Sequence, residues 1–220
     1  MTRYKSGQQS KDNIYATAKR LFYENGFINT TLMDIARESG ANKAMVSYYF
    51  ENKNKLALEI YNEYMVAVKV RTQNAINVIC PKCNHVLRTA LEYRIQNRNC
   101  RANRHLNRFY HELCESNVFL QNESASVGFV ENLNRAYKLG LSRLDAKAIA
   151  LANLATVHAL HVARNEGFLE CSSEYVAETE IRLLFQSLRF ENDFIDECLK
   201  ESERLLDQIE LTVGENFAVK

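Results

Sequence analysis

The sequence predicts an all-α protein, and three observations carry that prediction. Apolar residues recur at three- and four-residue steps in segment after segment of the 220-residue chain. Only one Pro and seven Gly occur, which disfavours a loop-rich or all-β chain. Near the amino end, residues 31–50 read as two short helices hinged on a glycine.

The first element is residues 11–25, KDNIYATAKRLFYEN, with Ile14, Ala18, Leu21 and Phe22 on one helical face. Gly26 ends it and Phe27 tucks back. Thr31 followed by Asp34 reads as a capping box, with Asp where Glu or Gln is usual. Leu32, Ile35 and Ala36 then share a face, and Ser39-Gly40 stops the helix. Asn42 caps the next, Lys43 to about Tyr49, which is too short to stand alone in water. Its apolar side is Ala41, Val46 and Phe50.

What faces outward is Asn42, Lys43, Ala44, Ser47, Tyr48 and Tyr49. Small, polar, basic and aromatic side chains of this kind suit a groove lined with base edges and phosphates. Lys53 and Lys55 follow at the start of a long helix, placed for backbone phosphates. For Tyr49 a second reading is packing against Phe50 and the first helix; for Lys53 and Lys55 it is ordinary solvation.

Residues 11–65 resemble the DNA-binding domain of the TetR (tetracycline-repressor-like) family of bacterial regulators. Ala18, Leu21, Phe22, Gly26, Phe27, Thr30, Thr31, Ile35, Ala36, Gly40, Tyr49, Phe50, Lys53 and Leu56 fall where that family has the same or a similar residue. Ser47 departs, standing where the family very often has Tyr. The resemblance implies that Thr31 donates to a phosphate at a helix start. It implies that Lys43, Ala44 and Ser47 face base edges, that Tyr48 and Tyr49 contact sugar and phosphate, and that Lys53 meets a phosphate. It also implies two domains. Residues 1–55 would be the helix-turn-helix DNA-binding domain, and residues 56–220 a helical effector-binding and dimerisation domain.

Charge agrees. Residues 1–55 carry nine Lys+Arg against five Asp+Glu, a balance of +4, while the whole chain is +1, leaving −3 for the rest. The positive charge sits where phosphates would, so binding should weaken strongly with salt. The first 13 residues are polar and basic without an apolar stretch; they read as a flexible arm and not as a secretory signal. No segment approaches 18 consecutive apolar residues, so no membrane span is expected. Cytoplasmic residence and mostly reduced cysteines follow as expectations.

Past residue 56 helices are predicted at 53–79, 84–99, 103–116, 124–139, 142–165, 173–190 and 194–212. Two of them suit a partner. The first carries Leu144, Ala148, Leu151, Ala152, Ala155, His158 and Ala159, and the second Val176, Ile181, Leu184, Phe185 and Leu188. An internal core pair and a two-fold interface both fit. The homodimer is preferred because a single helix-turn-helix reads too few bases, whereas a dimer reads both halves of a palindrome. The interface is therefore expected at Leu151, Ala155, His158, Ile181, Leu184, Phe185 and Leu188.

The family's middle helices imply a pocket for a small organic effector. Tyr93, Phe109, Tyr110, Phe129 and Tyr137 are its candidate walls, although an aromatic at helical spacing also suits plain core. Cys80-Pro-Lys-Cys83 is a lone CxxC at a helix junction. Without a second pair it reads as ordinary helix-end cysteines, with a metal or thiol sensor as the alternative. No GxSxG, P-loop, dinucleotide fingerprint or HExxH occurs, so an enzyme is not expected, nor a cofactor. The expected function is a repressor released from a double-stranded DNA operator by a small-molecule effector. An activator or DNA-organising protein on the same scaffold is the alternative.

Overall fold

Ten helices follow one another in a computed structural model that describes residues 2–121 and 124–220, with side chains described at 7–119 and 126–220. They are α1 (Thr2–Asn25), α2 (Leu32–Ser39), α3 (Lys43–Phe50), α4 (Lys53–Ile79), α5 (His85–Ala102), α6 (Arg104–Glu115), α7 (Ser124–Tyr137), α8 (Arg143–Asn165), α9 (Ser173–Ser187) and α10 (Asn192–Leu206). The fold is all-α; among the described residues the only β pairing is one antiparallel bridge, Val213 with Val219.

The first three helices close around Ile14, Ala18, Phe22, Ile35, Val46 and Phe50, all buried. The stops are local and chemical. Asp34 N–H donates to the Thr31 hydroxyl at 3.1 Å, and Thr31 N–H donates to the Asp34 carboxylate at 3.0 Å. Gly40 takes φ 68°, and Ala41 N–H reaches back to the Ala36 carbonyl at 3.0 Å, closing α2 as a left-handed cap. Asn42 and Asn52 each accept the backbone N–H three residues on, at 2.9 Å, and so start α3 and α4.

The 27-residue α4 begins beside α3 and runs into the remaining helices. Its buried row Leu56, Ile60, Tyr64, Val68, Thr72 and Ile76 steps by four throughout. Helix α5 packs on α9 and α10, where the buried Arg94 guanidinium donates to Glu178 at 2.8 Å, Ser202 Oγ at 2.8 Å and the Leu199 carbonyl at 3.3 Å. Five donors in a fixed fork let one side chain tie three helices.

Two terminal segments differ from the sequence reading. Helix α1 begins at Thr2, so the expected arm continues the helix; the stretch holds no proline, and Gln8 donates to Asp12 one turn on. The last helix ends at Leu206, not near residue 212. The tail beyond it folds back through paired hydrogen bonds between Thr212 and Lys220, at 3.0 and 2.9 Å. That turn inserts Phe217 between Tyr23 and Phe109, at ring distances of 5.2 and 4.8 Å. A β-branched, glycine-containing segment favours this hairpin over another helical turn.

Candidate nucleic-acid interface and effector cavity

Helix α3 is held by its two buried residues, Val46 and Phe50, and presents the opposite side outward. Asn42, Lys43, Ala44 and Tyr48 are exposed, Tyr48 at 82%; Ser47 and Tyr49 are half-buried. The Tyr49 ring meets Tyr48 at 5.2 Å and Phe50 at 6.4 Å, so it serves packing while keeping one edge outward. Asn42 has committed its side-chain oxygen to the cap. Thr31 is exposed, and its hydroxyl donates to Asp34 at 2.6 Å. These bonds hold the Asp34 carboxyl below its ordinary range.

The lysines divide. Lys43 is exposed with no acidic partner among the described residues. Lys55 pairs with Glu51. Lys53 turns inward: its ammonium donates to the Phe27 carbonyl at 3.0 Å and lies 4.1 Å from the centre of the Phe27 ring. Partial burial lowers its pKa, opposed by the nearby Glu112 carboxylate. Lys53 thereby braces the α1–α2 loop.

That loop is gripped from the other side. Glu112 on α6 accepts Ile28 N–H at 2.8 Å. Gly26, at φ +86°, makes room: a Cβ there would fall 2.6 Å from the Glu112 oxygens. On the same helix Arg108 donates to the Tyr23 and Glu24 carbonyls at 3.0 and 2.7 Å, capping the end of α1. Phe22 and Phe109 stack at 5.5 Å.

Two residues before Glu112, Tyr110 faces a cavity of about 230 Å³ between α4, α5, α6, α8 and α9. Tyr61 stacks on Tyr110 at 5.4 Å, and Phe119 closes on both. Asn153 donates to the Tyr93 hydroxyl at 3.0 Å. Burial lowers His158 to about 4 and His161 to about 3, so both are neutral near pH 7. Glu180 is the buried carboxylate of this cavity; it accepts from Asn97 Nδ2 at 3.2 Å, and burial raises it to about 8.

Of the five predicted effector residues, Tyr93 and Tyr110 line the cavity and three do not. Phe109 points the opposite way on α6, into the Phe22–Phe217 stack. Phe129, on α7, packs half-buried against the hydrophobic core. The Tyr137 hydroxyl accepts His85 N–H at 3.1 Å, capping α5. Among the cavity residues not singled out as walls are Tyr61, Gln96, Asn97, His161 and Glu180. Glu180 had a readable signal, a carboxylate in register with Val176, Ala177, Ile181 and Leu184 on one buried helix face.

The predicted interface also splits. Leu151 and Ala155 are exposed on α8, in a stripe with Leu144, Ala148, Ala152 and Ala159. Ile181, Leu184, Phe185 and Leu188 are at most 2% exposed within one protomer, and His158 lines the cavity. These five are unavailable to a second copy, because α9 spends its apolar face on α5 and α8. The outward side of α9 offers Tyr175 and Leu183 instead. By length and composition α8 could also cross a membrane, with a mean hydropathy of 1.2 over 18 residues, 22% of them buried.

At the α4–α5 junction, burial and the neighbouring Cys80 thiol push Cys83 upward, away from thiolate. His111, Glu115 and Glu166 bring one nitrogen and two carboxylates within 4.8 Å of one another. Three ligands, two of them exposed acids, fall short of a closed zinc site.

Three helices with the third presented outward by a glycine turn define a helix-turn-helix protein. Residues 14–60 match the family described as bacterial regulatory proteins, tetR family. That segment of the chain belongs to the family. It is 42% identical over 52 residues to the HTH-type transcriptional regulator QacR of Staphylococcus aureus, covering 24% of this chain and 28% of the relative. It is 36% identical over 55 residues to "Probable HTH-type transcriptional regulator YttP" of Bacillus subtilis, covering 25% and 27%. The matches thus span about a quarter of each relative's length. Among solved structures, a gamma-butyrolactone receptor (ArpA-like protein) aligns over 92% of this chain and 99% of its own, with 15% identity and a TM-score of 0.49.

Proposed function

We propose that this chain is a dimeric transcriptional repressor that binds a palindromic DNA operator and is released by a small organic effector. Residues 1–55 form the DNA-binding domain of this reading, and residues 56–220 the effector and dimer domain. Such a regulator works in the cytoplasm.

One observation carries the reading: α6 is shared. Tyr110 on it walls the cavity, while Glu112 on it holds the loop that leads into α2 and α3. A ligand pressing on Tyr110 therefore acts on the helix that sets the recognition unit. Packed interfaces move between discrete arrangements, not by continuous bending. The ligand shifts the population toward the arrangement in which the two recognition helices no longer match operator spacing. The second copy sits on the α8 stripe and the outer side of α9. Small residues there allow two helices to approach closely, and covering the stripe removes apolar surface from water.

The test is selection of duplexes from a random pool by the purified protein, followed by binding titrations at several salt concentrations. A palindromic consensus, bound by a dimer with a steep salt dependence, is expected. A monomer indifferent to every duplex at low salt would overturn the reading.

A further inference from the structure

Glu180 is 3% exposed, and among the described residues its one hydrogen-bond donor is the neutral amide of Asn97. The arginines on α5 near Asn97 are engaged elsewhere. Arg94 pairs with Glu178, Arg101 with Glu174, and Arg98 donates to the carbonyls of Leu206 and Ile209.

The titratable groups facing Glu180 come from four elements. Helix α4 contributes Tyr61; α5 contributes Tyr93, Cys100 and the half-buried Glu92. Helix α6 contributes Tyr110 and Cys114, and α8 contributes His158 and His161. Burial raises the tyrosines and cysteines and lowers the histidines, so those seven groups are uncharged near pH 7. Arg164, one turn beyond His161, bears on His161 and Cys100; what acts on Glu180 is its burial and the Asn97 amide. Among the described residues the cavity lining thus holds two carboxylates, Glu92 and Glu180, with aromatic walls and no lysine or arginine.

We propose that the effector is a small organic cation, seated between the Tyr61, Tyr93, Tyr110 and Phe119 rings with its charge against Glu180. This rests on the effector reading above and names the ligand class for that site. Aromatic faces attract a cation, and a buried carboxylate without a counter-charge supplies the missing partner. A cavity of about 230 Å³ lies below the range of about 300–1,000 Å³ usual for drug-sized ligands, which favours a compact monocation. Without a counter-charge Glu180 carries a proton near neutrality. Cation binding ionises it, and that proton passes to solvent. Affinity therefore rises with pH until Glu180 is already ionised.

The experiment is calorimetry of the full-length protein with phenyltrimethylammonium, whose charge is permanent, and with uncharged N,N-dimethylaniline. The cation should bind at least about tenfold more tightly. Its affinity should climb toward about tenfold per pH unit below about pH 8 and level off above, with about one proton released per cation at the lower pH. E180Q should abolish both the preference and the slope, with its thermal midpoint showing that it folds; if it does not fold, the wild-type pH slope decides.

Equal binding of the uncharged amine, or affinity that falls with pH, would overturn the proposal in favour of a neutral acceptor hydrogen-bonded by protonated Glu180. So would absence of binding by phenyltrimethylammonium and by tetramethylammonium alike. A cation that binds with these signatures but leaves operator affinity unchanged would sink the effector reading instead. A neutral compound that enters the cavity and releases DNA would spare that reading and sink this inference.

Discussion

The Glu112 carboxylate on α6 accepts the backbone N–H of Ile28 at 2.8 Å, across 84 residues of sequence. It is the acceptor for a loop donor that α2 cannot use, and it occupies the space left by the missing side chain of Gly26. One link between the cavity-lining helix and the recognition unit is therefore this carboxylate–amide hydrogen bond, beside the Arg108 contacts to the end of α1.

Removing that link should separate sensing from binding. Glu112→Ala should lower stability by about 1.5–3 kcal/mol, the range for a hydrogen bond to a carboxylate. Gly26→Ala should cost about 1–2 kcal/mol from its positive φ alone, and more because its Cβ displaces the carboxylate. In both variants effector should still bind by calorimetry, while its effect on operator affinity shrinks. Undiminished release of DNA by effector would show that the signal takes another route.

The two lysines should behave differently. Lys43→Ala should weaken binding to all duplexes and lower the salt slope by about 1. Lys53→Ala should act chiefly on stability, because its ammonium braces the Phe27 carbonyl and ring. Denaturant titrations beside salt-dependent anisotropy distinguish them. A salt slope that drops for Lys53→Ala at unchanged stability would restore it as a phosphate ligand. Ser47 substitutions should change sequence preference more than overall affinity.

Leu151→Glu places a charge in the exposed α8 stripe without touching the protomer core. Sedimentation should show a monomer with unchanged helicity, and operator affinity should fall by at least about tenfold, because both half-sites are no longer read together. Leu184→Glu, by contrast, should unfold the protomer, since Leu184 is 2% exposed. A dimer that survives Leu151→Glu would move the interface elsewhere.

Stability should peak near pH 6.5. His158 and His161 fall to about 4 and 3 in the folded chain from an ordinary 6.5, so between those values the unfolded state binds more protons. Stability is then lost as pH falls below 6.5. Glu180 rises to about 8 from 4.5, so the folded state holds the extra proton. Its contribution is present below 4.5 and is lost as pH rises through 8. From 4.5 to 6.5 two histidines outweigh one carboxyl; above 6.5 only the carboxyl acts, with a slope of at most about 1.4 kcal/mol per pH unit. Denaturant midpoints from pH 5 to 8.5 check this. In Glu180→Gln the fall above pH 6.5 should vanish; if it persists, another group causes it.

Caps and periodicity made the helices and the outward residues of α3 legible, because Thr31, Gly40, Asn42 and Asn52 act on their own neighbours within five residues. Periodicity also found the buried face of α9, but not what covers it. Ile181, Leu184 and Phe185 face α5 and α8 of the same protomer, and an apolar row has no label saying which chain it meets. Phe109 and Tyr110 are adjacent aromatics, yet one joins the Phe22 stack and the other the cavity.

By itself the sequence determined the helices, their stops, the amino-terminal charge and the recognition unit, all governed by interactions a few residues long. Only the tertiary structure decided that Lys53 turns inward, that Glu112 reaches Ile28, that Phe217 returns to α1 and that Glu180 is sealed among tyrosines. Those partners lie far apart along the chain. Their pairing follows from how whole helices share one core, which no local pattern encodes.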